Sequence, residues 1–178
     1  TGEPDYCIPA TGAAEIAVLA ARLRANQLAW SAAGPVHRAA VIKAWSARLL
    51  AEPGPVLDAL VTDTGRHLLA LREIHALGGM VSGNVALATT ALVEPAERPS
   101  LTPGIHAQTQ LVPYALIGVI SPWNFPFLIS MLDTIPALLA GCAVIVKPSE
   151  VTPRFIAPLM ASLAAFPELA GVCAFITG

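Results

Sequence analysis

Two short loops hold the residues whose types and spacing could do chemistry. The first, after an apolar run ending at Ile120, reads Ser121, Pro122, Trp123, Asn124, Phe125, Pro126. The second, after a run ending at Val146, reads Lys147, Pro148, Ser149, Glu150. A carboxamide both donates and accepts hydrogen bonds, an ammonium only donates and a carboxylate only accepts, so together the loops carry a mixed polar set. Taken singly each residue has an ordinary reading: Trp123 a half-buried aromatic, Asn124 a capping or turn residue, Lys147 and Glu150 a solvated pair at a helix start. The other reactive types are dispersed. Cys142 precedes one apolar run and Cys173 lies near the start of another, which reads as core packing. Cys7 lies between Pro4 and Pro9 with no neighbouring base to activate it. His37, His67, His75 and His106 have no metal-ligand spacing, and no metal is expected.

The elements around these loops give them a common position. Residues 13–33 are Ala-rich with Ile16, Leu19, Ala20 and Leu23 at helical spacing, and Gly34 and Pro35 interrupt them. Ile42, Trp45 and Leu49 define a second helix, ended by Pro53, Gly54 and Pro55. A short helix around 56–64 stops at Gly65, and an apolar helical stretch runs from His67 towards Ala91. Asp63, Thr64 and Gly65 read as a turn with capping or surface roles. Pro95, Pro99 and Pro103 mark an exposed connection over 94–104, and residues 105–112 alternate as a strand or hairpin arm, the hairpin region reaching 114. From Leu116 short apolar runs (116–120, 143–146, 172–176) alternate with helices (127–140, 153–165). That alternation is the signature of parallel β-α-β units with right-handed crossovers. In such a sheet, ligands bind beyond the carboxyl ends of the strands, where both loops fall.

With its loops in that order the chain resembles the aldehyde dehydrogenase superfamily. The resemblance rests on Pro122-Trp123-Asn124-Phe125-Pro126, on Ala140-Gly141-Cys142-Ala143 and on Lys147-Pro148-Ser149-Glu150, with Ala29-Trp30 and the helix over 38–50 similar to the family's first helices. It implies an α/β fold: N-terminal helices (13–91), a strand or hairpin region (105–114) and part of a Rossmann-like parallel sheet (116–178), together a partial NAD(P)-binding domain over 1–178. It also implies roles. Asn124 would donate its side-chain N–H to the oxyanion formed when a cysteine thiolate attacks an aldehyde. Lys147 and Glu150, with Ser149 beside them, would hold the adenosine ribose of NAD, with NADP a possible alternative that a carboxylate at 150 disfavours. Ile120, Ser121, Pro122 and Trp123 would line the cofactor crevice. The family's nucleophilic Cys and general-base Glu come later in the chain than the region matched, so the 178 residues alone are expected to be inactive.

Composition sets the remaining bounds. Ten Lys and Arg against twelve Asp and Glu, a net charge of −2, give no electrostatic footprint for nucleic acid. Three widely spaced cysteines support neither a disulfide framework nor a zinc site, and with no signal peptide visible a cytoplasmic setting is expected. A mean hydropathy of +0.66 with 12% charged residues calls for a membrane or a missing partner surface. The best spanning candidate, 125–146, holds Asp133 at its centre, at a cost of roughly 2.5–3.5 kcal/mol, besides Pro126 and Pro136. A core exposed by truncation accounts better for the hydropathy, and the family resemblance implies a homo-oligomer for the complete enzyme. The competing functions are thus an N-terminal dehydrogenase fragment acting on an aldehyde, an inactive remnant or nucleotide-binding module of the same ancestry, and a membrane-associated helical protein.

Overall fold

The computed structural model describes residues 7–93 and 96–178. Four helices come first: α1 (Ala13–Ala32), α2 (Gly34–Ala51), α3 (Gly54–Thr64) and α4 (His67–Ala91). A two-stranded antiparallel ribbon, β1 (Arg98–Pro99) and β2 (His106–Ala107), separates them from the sheet. The rest is β3 (Leu116–Ile120), α5 (Pro126–Ala140), β4 (Ala143–Lys147), α6 (Ile156–Ala164), α7 (Pro167–Val172) and β5 (Cys173–Phe175).

β3, β4 and β5 form one parallel sheet in that order, with Leu116 opposite Ala143 and Val144 opposite Cys173. β4 is covered on both faces, which explains its continuous β-branched run Val144-Ile145-Val146 in place of an alternating one. The core is continuous through the helices and the sheet. It runs from Ile42, Trp45 and Leu77 to Phe127, Ile135 and Val146, all at most 3% exposed. Phe155 meets Phe127 and Phe175 edge to face, with ring centroids 6.4 and 6.3 Å away, tying the segment before α6 to α5 and β5.

α5 is the most buried of the helices flanking the sheet, and its carboxyl end shows how. The Leu138 carbonyl accepts the Gly141 cap amide and those of Leu139 and Gly141 lie past the helical ladder, and side chains from α1 and α2 take up all three. Trp30 Nε1 donates to Leu138 (2.9 Å), Arg38 Nε to Leu139 (2.9 Å) and Gln27 Nε2 to Gly141 (2.8 Å). Arg38 also reaches the Ser31 carbonyl at 2.8 Å, so one guanidinium closes the ends of both α1 and α5. Gly141 ends α5 at φ +96°, and a Cβ there would lie 3.3 Å from the Arg38 guanidinium carbon. The backbone requires glycine, and a Cβ would also press on the Arg38 guanidinium.

Three sequence expectations are corrected. The strand expected over 105–112 is only His106–Ala107, and its partner Arg98–Pro99 lies inside the stretch expected to be a connection; prolines at 99, 103 and 113 prevent a longer ladder. Glu94 and Pro95 of that connection, like Pro4, lie outside the described residues. The helix expected from 153 begins at Ile156, after the turn 153–155. A further short helix, α7, opens at Pro167 and delivers the chain to β5. Among the described residues no helix is long and apolar enough to cross a membrane.

The convergence on Arg38 gives a test. Arg38→Met keeps the aliphatic stem but strands the buried Leu139 carbonyl and removes a donor from the half-buried Ser31 carbonyl, and should cost about 3 kcal/mol of unfolding free energy in urea. A loss below about 1 kcal/mol would show that these carbonyls find other donors.

Candidate functional site

β3 delivers the first loop to the carboxyl edge of the sheet. Ile120 is 84% exposed at the edge, and the Ser121 amide adds one more ladder bond, to the Lys147 carbonyl at 3.1 Å. The Ser121 hydroxyl turns inward. It is buried against Ser130 Oγ at 2.6 Å, and Ser130 in turn donates to the Pro126 carbonyl. Ser121 therefore offers a ligand only its backbone, while Pro122, Trp123 and Asn124 stand exposed. The Asn124 carboxamide has no hydrogen-bond partner among the described residues and is free to donate outward.

What holds this loop is a pair of charged groups on the opposite helix. Arg66, at the start of α4, donates to the Asn124 carbonyl and lies over the Phe125 ring, 5.5 Å from its centroid. Glu73, two turns further along α4 and only 2% exposed, accepts the Leu128 amide at 3.1 Å in the first turn of α5. α5 has no side-chain cap of its own at Phe125, so this carboxylate serves as one from another helix. Burial raises the Glu73 pKa above the ordinary glutamate value, although the Leu128 and Phe127 amides and the Arg66 charge pull it back.

The second loop leaves β4 at Lys147. Lys147 Nζ and Glu150 Oε2 are 3.2 Å apart, with the ammonium also 3.4 Å from the Pro148 carbonyl. Glu150 is held below the usual glutamate range, first by its own backbone amide and then by Lys147. Ser149 Oγ accepts the Val151 amide at 3.2 Å and tightens the turn. Thr152 ties the loops together, its buried hydroxyl donating to the Trp123 carbonyl at 3.4 Å. Beyond it, Arg154 engages Asp63 through both Nε (2.8 Å) and its backbone amide (2.9 Å), fastening the second loop to α3. Asp63 is thus a tether for the site and more than the surface or capping residue its sequence context suggests.

A cavity of about 180 Å³ opens between this loop and the end of β5. Pro148, Ser149, Glu150, Pro153, Ile156 and Thr177 line it. On its far side the extended segment before α1 is pinned to the chain end that follows β5: the Thr11 amide donates to the Thr177 carbonyl (2.8 Å) and the Thr177 amide to the Thr11 hydroxyl (3.0 Å). Ser149 and Glu150 therefore share one cavity, with Lys147 paired to Glu150, whereas Ile120, Pro122, Trp123 and Asn124 belong to the neighbouring loop along the same edge.

The cysteines occupy other places. Cys142 and Cys173 are buried, and burial raises both pKa values, that of Cys173 to about 12. Cys7 is exposed. Among the described residues no group of three His, Cys, Asp or Glu could hold a metal.

Arg66, Glu73, Asp63 and Thr152 went unremarked as site residues in the sequence. Glu73 did leave a signal: it falls among Ala70, Ile74 and Leu77 on the buried stripe of α4, where a carboxylate must have a partner.

A family model described as the aldehyde dehydrogenase family matches residues 1–178. The chain is 34% identical over 155 residues to a Mycobacterium tuberculosis protein named "Putative succinate-semialdehyde dehydrogenase, NADP(+), 2", a match covering 86% of this chain and 30% of the relative. It is 35% identical over 152 residues to the chloroplastic betaine aldehyde dehydrogenase of Amaranthus hypochondriacus, covering 80% of this chain and 30% of that one. The solved structure of the "Putative Aldehyde Dehydrogenase PutA" of Anabaena variabilis superposes with a TM-score of 0.94 at 42% identity, over 100% of this chain and 38% of that one. An NAD-dependent benzaldehyde dehydrogenase from Corynebacterium glutamicum gives 0.85 at 26% identity, over 96% and 37%. The chain thus spans about a third of the length of the proteins it matches.

Two outcomes follow from the burial of these groups. Because the folded-state pKa of Glu73 is raised, the folded protein holds that proton more tightly, and this contribution to stability is lost as pH rises from the unfolded value through the folded one. Glu73→Gln keeps an acceptor and does not titrate, so it should gain on the parent as pH is taken from about 4 to about 8 in urea titrations. A stability gap independent of pH would contradict the shift. In thiol labelling of the native chain at about pH 8, Cys7 alone should react promptly, with Cys142 and Cys173 following only on denaturation.

Proposed function

Since the chain belongs to the aldehyde dehydrogenase family, we propose that it forms the adenosine-side half of the cofactor site of an NAD(P)-dependent aldehyde dehydrogenase and supplies one donor to its reacting centre. The observation that carries this reading is the joint placement of Glu150, paired with Lys147, on a cavity and the unpartnered Asn124 carboxamide on the adjoining loop, both at the carboxyl edge of one parallel sheet.

The residues present fit the adenosine half of such a cofactor. Pro148, Pro153 and Ile156 give the cavity an apolar wall for a flat base, and Lys147 and Glu150 provide a donor and an acceptor for vicinal ribose hydroxyls. When bound, the dinucleotide supplies the two-electron acceptor for aldehyde oxidation. Asn124 serves the carbonyl end. As a thiolate adds to the aldehyde, negative charge gathers on the former carbonyl oxygen, and the Asn124 N–H donates to it, an interaction of the kind worth about 2.7–4 kcal/mol of barrier. None of the three cysteines here suits the nucleophile's part: Cys142 and Cys173 are buried as neutral thiols, and Cys7 has no activating base.

The exposed Glu150 carboxylate favours a free ribose 2′-hydroxyl, and hence NAD, because a 2′-phosphate would meet its charge. The mycobacterial relative's name specifies NADP(+) and the Corynebacterium structure's NAD, so the choice is to be made at this residue. The aldehyde and any assembly into homo-oligomers follow the family in this reading. A second reading, a module that binds the nucleotide without turnover, rests on the same cavity.

Calorimetric titration separates these possibilities. NAD should bind the 178-residue chain more tightly than NADP, and Glu150→Ala should weaken NAD about tenfold, or about 1.4 kcal/mol. The chain by itself should oxidise no aldehyde above a heat-inactivated control. No effect of either nucleotide would remove the cofactor-site reading, and turnover by the isolated chain would remove the assignment of the nucleophile elsewhere.

A further inference from the structure

We propose that Arg66 and Glu73 are positioning residues for Asn124: they clamp the peptide that leaves Asn124 and the helical turn that follows it, and so set the direction in which its carboxamide faces the reacting carbonyl. The inference rests on the assignment of Asn124 to the oxyanion.

An exposed turn does not hold a side chain still without help, since ordering each residue's backbone costs about 1–2 kcal/mol. Here successive carbonyls of the turn are gripped from two sides, that of Trp123 by Thr152 and that of Asn124 by the Arg66 guanidinium. The same guanidinium rests against the Phe125 ring, so the plane between Asn124 and Phe125 is held by a hydrogen bond and a cation–π contact from one group. Glu73 then fixes the next segment. Its buried carboxylate takes the Leu128 amide, and the attraction of Arg66 offsets part of the burial cost. A buried charge is a demanding way to cap a helix that any polar residue at Phe125 could have capped locally. A carboxylate reaching across from α4 does something a local cap cannot: it locks the Asn124 turn to the helix that also carries Arg66. The Asn124 side chain is left with no internal partner, its backbone held and its amide open to a ligand.

The test uses Arg66→Met, Arg66→Lys, Glu73→Leu and Glu73→Gln, with two readouts. The first is 15N relaxation in the 178-residue chain at the Phe125 amide, which shares a peptide plane with the Asn124 carbonyl. Its order parameter should be about 0.85 in the parent, fall below about 0.6 in Arg66→Met and recover in Arg66→Lys. The second is steady-state kinetics in the native polypeptide that carries these residues. Arg66→Met and Glu73→Leu should lower kcat about 100-fold with the cofactor KM unchanged, as displacement of a reacting group by an ångström does. Glu73→Gln, which keeps an acceptor for Leu128, should stay near the parent in both. An unchanged Phe125 order parameter in Arg66→Met, or a kcat that falls only with the folded fraction, overturns the proposal. If Glu73→Leu does not fold, the Arg66 pair and Glu73→Gln decide. A native polypeptide without dehydrogenase activity whose Phe125 amide nevertheless responds as described would remove the dehydrogenase reading and leave the clamp standing.

Discussion

A helix whose two ends are covered by protein has no water to satisfy them, and its terminal amides and carbonyls must find partners within the protein. α5 is that helix here, and the need to satisfy both its ends organises the rest of the chain. Gln27, Trp30 and Arg38 meet its carboxyl end from α1 and α2, and Glu73 meets its amino end from α4. The four N-terminal helices are therefore more than a cover for the sheet. Gln27, Trp30, Arg38 and Glu73 are each committed to a backbone atom of α5 or of the residue that ends it, and among the described residues no buried side-chain polar atom lacks a partner.

The site inherits its order from that arrangement. The amino end of α5 lies at the carboxyl edge of the sheet, so the groups that satisfy it also fix the loop that bears Asn124. The second loop is fixed by an independent set, Asp63 with Arg154 and the turn through Ser149, and Thr152 joins the two. Rigid backbone beneath exposed side chains is what a binding edge requires: Trp123, Asn124 and Glu150 project outward while the atoms behind them are hydrogen-bonded. The distribution of charge agrees with this division. Buried Glu73 on α4 has its pKa raised by desolvation, whereas exposed Glu150 in the second loop has its own lowered by the amide and the ammonium beside it, so the two glutamates are tuned in opposite directions.

Much of this was legible in the residues themselves. The helical period over 13–91, the apolar runs at 116–120 and 143–146 and the placement of both loops after strands agree with the structure, because burial periodicity is a local property of the chain. The burial of Cys142 and Cys173 was readable for the same reason. Errors fell where local pattern is weak: at the two-residue strands β1 and β2, which only pairing defines, and at α7, six residues long and opened by Pro167.

By itself, then, the sequence determined the class of fold, the order of its elements and the two loops that could meet a ligand, all of which follow from period, turn residues and motif. Only the tertiary structure decided that the Ser121 hydroxyl faces α5, that Asp63 tethers the second loop, and that Arg66 and Glu73 hold the first. Those assignments join residues dozens of positions apart, Glu73 with Leu128 and Asp63 with Arg154. Which distant backbone group a polar side chain must satisfy is set by how the helices pack, and no local spacing encodes it.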